Sequence, residues 1–79
     1  MFNLKLISGK LYRIRSLVLA EDNHDRSGVY LSGGDIVIFL SSEDNRDYSV
    51  YNFLYGKKEI NIVVPPRSEL DHYIVERIE

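Results

Sequence analysis

The chain has 79 residues, 44% of them hydrophobic, no cysteine and a formal net charge of -2. That makes one domain, residues 1–79, near the lower size limit for a core without staples and too apolar to be disordered. The lack of cysteine excludes disulfides and thiolate metal sites, and the acidic balance excludes a general basic field for nucleic acid or an anionic membrane, so any such binding needs a local patch.

Met1 to Ile7 is too short and interrupted for a signal-peptide core, and no apolar run approaches a membrane span, which sets the expectation of a cytoplasmic protein without membrane contact. Leu11 to Ala20 is the first strong strand candidate, with Tyr12 and Ile14 alternating against Arg13 and Arg15. The alternation slips at Leu17-Val18-Leu19, which predicts a bulge or bend. A charged loop, Glu21 to Ser27, separates it from the short strand Val29-Tyr30-Leu31.

Ser32-Gly33-Gly34-Asp35 is a tight turn whose glycines can take positive φ. The unbroken run Ile36 to Leu40 then reads as a central strand buried on both faces. Ser41 to Asp47 is a second acidic loop, Tyr48 to Tyr55 a strand, Gly56-Lys57-Lys58 a hairpin turn and Ile60 to Val64 the returning strand. Pro65-Pro66 ends it, because proline has no ladder donor. Ser68-Glu69-Leu70-Asp71 has an N-cap and acids in place for a helical turn, and Tyr73 to Ile78 either extends that helix or forms a last short strand, the strand being the expectation.

Glu21-Asp22-Asn23-His24-Asp25 is echoed by Glu43-Asp44-Asn45-Arg46-Asp47. The strands around the two segments do not match, so the echo reads as shared turn chemistry rather than duplication. Three consecutive strands carry apolar residues on both sides, more than one small barrel can hide. Either a terminal segment covers an outer face, or an exposed strand edge pairs with another copy of the chain; the second is the expectation.

Little of the chain points to catalysis. His24 lies among Glu21, Asp22 and Asp25, but their spacing fits no metal motif and a solvated loop accounts for them. His72 beside Asp71 reads as a surface or helix-end residue rather than an acid–base catalyst. Ser32, Ser41 and Ser42 are turn serines with no histidine at a nucleophile-activating interval, and Gly33-Gly34 lacks the rest of a phosphate-cradling loop. The expectation is a non-enzyme with no cofactor and no metal. The remaining candidate is Phe53-Leu54-Tyr55-Gly56-Lys57-Lys58, an aromatic ring and two cations on a tight hairpin, where rings stack bases and lysines meet phosphates.

From Leu11 to Ile78 the layout resembles an SH3-like barrel. It has a first strand, a long polar loop, a diverging turn in Leu31-Ser32-Gly33-Gly34-Asp35, two hairpin strands, a short turn and a last strand. Of that family's proline-peptide groove only Tyr48, Pro65 and Tyr73 have counterparts. Leu54-Tyr55-Gly56-Lys57-Lys58-Glu59-Ile60, with Asp35 leading into the strand to Leu40, is similar to the motifs of Sm-like RNA-binding proteins. Tyr55 replaces their usual arginine, and the asparagine expected after the aspartate is absent. This second resemblance implies a ring-forming homo-oligomer that binds RNA or single-stranded DNA, with Asp35, Tyr55, Gly56, Lys57 and Lys58 nearest the nucleic acid. Both resemblances imply an all-β fold, a small five-stranded strongly bent barrel, here with a short helical turn near the C-terminus. The alternative function is a monomeric SH3-like module that binds a protein partner, or a subunit of a larger assembly.

Overall fold

The computed structural model describes residues 6–65 and 76–78. They form one curled antiparallel sheet, a half-barrel, of seven strands: β1 (Leu11–Arg13), β2 (Val18–Asp22), β3 (Gly28–Leu31), β4 (Ile36–Asp44), β5 (Ser49–Tyr55), β6 (Lys58–Val64) and β7 (Glu76–Arg77). Across the sheet the order is β3-β2-β6-β5-β4-β1-β7. The all-β expectation holds, while the count of five strands is corrected to seven. Leu11 to Ala20 is two strands, β1 and β2, separated by residues 14–17. No helix occurs among the described residues, and the helical turn expected at Ser68 to Asp71 lies outside them, as does His72. Of the last expected strand, Tyr73 to Ile78, the described part pairs Glu76 and Arg77 with Arg13 and Tyr12.

The segment between β1 and β2 is held against the Ser32 to Asp35 turn. The backbone of Gly34, at φ 101°, donates to the Ile14 carbonyl at 2.8 Å, and Ile14 N–H donates to the Asp35 carbonyl at 2.8 Å. A Cβ on Gly33 would stand 3.1 Å from the Arg15 carbonyl oxygen. One glycine thus supplies the left-handed conformation and the other the close approach of two backbones. Asp35 closes the turn, its Oδ2 accepting from Ser32 N–H at 2.8 Å.

The core lies on the inner face of the curl, where alternate residues of each strand meet. Tyr12 and Ile14 come from the first segment, Val37 and Phe39 from β4, Phe53 from β5, and Ile60, Ile62 and Val64 from β6. The Phe39 and Phe53 rings meet edge to face, centroids 5.6 Å apart. The buried Tyr12 hydroxyl accepts from Ile7 N–H at 2.8 Å, so its polar end is satisfied.

β4 is not buried on both faces. Val37 and Phe39 are covered, Ile38 and Leu40 are half-buried and Ile36 is exposed. A register shift between Phe39 and Ser41 bends the strand there, and its polar second half continues to Asp44 against Ser49 to Asn52. The second acidic loop is therefore shorter than Ser41 to Asp47, since a non-local partner draws polar residues into the ladder.

Candidate functional site

The β2–β3 connection is held by its own side chains. Asp22 is buried, and its Oδ1 accepts from His24 N–H at 2.7 Å and Asp25 N–H at 3.3 Å. Asp22 N–H donates to the Ser27 carbonyl, and Arg26 N–H returns to the Asp22 carbonyl from a left-handed φ of 67°. Asp25 Oδ1 then accepts from both the hydroxyl and the N–H of Ser27, at 2.6 and 2.9 Å. These bonds, the hydroxyl first, hold the Asp25 carboxyl below the ordinary aspartate range, with smaller help from the charges of Lys58 and His24.

The β5–β6 connection is a two-residue turn, Gly56-Lys57, closed by the pair Tyr55 and Lys58. Gly56 at φ 63° supplies the left-handed residue this turn needs. The two connections are brought side by side by the β2–β6 register, in which Asp22 faces Ile60 and Asn23 N–H donates to the Glu59 carbonyl at 2.8 Å. Between them lies an open groove of about 530 Å³ lined by Asp22, Asn23, His24, Lys57, Lys58 and Glu59.

A polar row leads away from this groove over the outer face of the sheet. Glu21, Asn61, Asn52 and Ser41 face one another in register across β2, β6, β5 and β4. Asn23, at the groove, accepts from Asn61 Nδ2 at 2.5 Å and donates to Asn52 Oδ1 at 3.3 Å, and Asn52 donates to Ser41 Oγ at 3.2 Å. The row presents amide donors and acceptors on an exposed surface.

Of the residues singled out from sequence, Lys57 and Lys58 line the groove and Gly56 shapes it. Tyr55 is half-buried and packs against the core, so its ring is not a free stacking platform. Asp35 is committed to the Ser32 to Asp35 turn and does not line the groove. Asn23 and His24 join the lysines unforeseen, and no local signal announces them: only the β2–β6 register makes them neighbours. Among the described residues no group of three His, Asp or Glu side chains is placed to hold a metal ion.

A second surface lies on the outer face, where Leu19 and Tyr30 stand opposite each other on β2 and β3 and Val63 projects from β6. Beside them is a shallow depression of about 270 Å³, lined by Leu19, Ala20, Glu21, Arg26, Gly28, Asn61 and Val63. Comparison with protein-family models, curated proteins and solved structures finds no match to this chain.

Proposed function

We propose that this chain is a non-catalytic small-barrel binding protein that holds the backbone of a single-stranded nucleic acid in the groove between the β2–β3 and β5–β6 connections. The observation that carries this reading is the convergence of Lys57, Lys58 and His24 from two connections on one open groove. The lysines meet phosphates, and the amides of Asn23, Asn61 and Asn52 continue from the groove as donors and acceptors for bases. Asp22 opposes the lysines less than its charge suggests, because its Oδ1 is engaged by two backbone N–H groups. Glu59 remains exposed beside them, which makes the contact modest in strength.

The loop layout supports the SH3-like resemblance for the barrel: a polar connection between two strands, the Ser32 to Asp35 turn, then hairpin strands and a last short strand. The Sm-like resemblance has its glycine–lysine run leading into the final strand, whereas β6 is followed by β7.

The test is a fluorescence-anisotropy titration of a labelled oligo-uridine strand over a salt series. Two phosphate contacts give a slope of log K on log salt of about -1.4 for a single strand. Lys57→Ala with Lys58→Ala abolishes that slope. Binding and slope unchanged in the double variant would remove the groove from the reading.

A second reading, a protein-binding module, is favoured by Leu19, Tyr30 and Val63 exposed together on the outer face.

A further inference from the structure

The two ends of the sheet are unlike. Among the described residues β7 and β3 are the outermost strands, and β7 carries two charged residues, Glu76 and Arg77, the usual protection of an open edge. β3 is Gly28-Val29-Tyr30-Leu31, which carries no charge and no proline. Its open side has a definite pattern. Asp22 N–H donates to the Ser27 carbonyl, so Ser27 bonds toward β2, and by antiparallel alternation Val29 and Leu31 do the same. Gly28 and Tyr30 therefore aim their N–H and C=O groups away from the sheet.

We infer that β3 pairs with β3 of a second copy of this chain about a two-fold axis at Val29, forming an isologous dimer. This interface is separate from the nucleic-acid groove and does not depend on that reading. In this register Gly28 lies opposite Tyr30 of the second copy, and the reverse. The two residues of β3 with edge-facing backbone groups thus meet each other, and four backbone hydrogen bonds form.

Side chains fit the same axis. Tyr30, 68% exposed, projects on the outer face and lands over the partner copy's glycine. There the missing side chain leaves the depression bounded by Leu19, Arg26, Glu21 and Val63. Leu19 already leans over that glycine, its Cδ1 3.3 Å from where a Gly28 Cβ would stand, so the ring finds an aliphatic wall on one side. Arg26, ion-paired with Glu21 at 3.4 Å across this depression, offers its guanidinium to the ring.

The pairing closes at two copies, whereas a ring needs β3 of one copy on β7 of the next.

The chain has no cysteine, so one introduced thiol reports the axis cleanly. In the two-fold register the Val29 Cα atoms of the two copies sit about 4.5 Å apart, within disulfide range. Val29→Cys is therefore expected to give a covalent dimer on mild oxidation, while Val63→Cys, exposed but off the axis, stays monomeric on a denaturing gel. Light scattering of the cysteine-free chain over rising concentration gives twice the monomer mass. Tyr30→Asp raises the dimer dissociation constant more than about tenfold, with an unchanged thermal melt of the monomer. A mass that stays monomeric, a mass above two copies, or crosslinking at Val63→Cys in preference to Val29→Cys would each overturn the interface.

Discussion

Glu21-Asp22-Asn23 and Glu43-Asp44-Asn45 start alike and do the same local work: each ends a strand and opens a hairpin. In the second, Asn45 N–H donates to the Tyr48 carbonyl at 2.8 Å and Asp44 Oδ1 accepts from the Ser49 hydroxyl at 2.8 Å, and residues 41–48 are exposed throughout. In the first, Asp22 is buried and Asn23 is tied to Glu59, Asn61 and Asn52. The residues make the turn in both places. The neighbouring strand, β6, makes only one of them part of a groove.

The contrast can be broken from the first loop outward. Asp22→Ala removes the charged acceptor of the His24 and Asp25 N–H groups and is expected to cost about 1–3 kcal/mol in urea unfolding. It also weakens oligo-uridine binding by displacing His24 and Asn23 from the lysines. Asn23→Ala removes exposed side-chain bonds but keeps the backbone bond to Glu59, and is expected to cost about 0.5 kcal/mol. Hydrogen exchange at its amide stays protected.

Acid separates the loops further. The Asp25 carboxyl is held below its ordinary range in the fold, so the unfolded chain takes up the proton first as pH falls. The loop's contribution is therefore present above the unfolded value and lost as pH drops through the folded one, a change that proton NMR at Ser27 follows. At the other end of the scale, Asp44→Ala is expected to change stability by less than about 0.5 kcal/mol. Its readable effect is on Tyr51, whose hydroxyl is pushed up by burial first and by the Asp44 charge second. Removing that charge makes Tyr51 ionise at lower pH in an ultraviolet titration.

The same contrast explains what was legible in the sequence. Ile60, Ile62 and Val64 alternate inward, as do Val37 and Phe39, because period-two patterning is local and the core needs it. The Ser32 to Asp35 turn was legible from its glycine pair. Ser41 to Asp44 was not, since a polar strand is held only by the partner across from it. The reading of Ile36 to Leu40 as doubly buried failed for a related reason: an apolar run shows what can be covered, while the sheet decides what is. Lys57 and Lys58 stand out on a hairpin, but His24 becomes their neighbour only through the facing of Asp22 and Ile60.

The most direct test of the account is a nitrogen-15 NMR titration of the full chain with oligo-uridine at low salt. The account predicts that the amides of Asn23, His24, Lys57 and Lys58 move first and together, with Leu19, Tyr30 and Val63 unmoved. Perturbations centred on Leu19, Tyr30 and Val63, or none at any position, would contradict it.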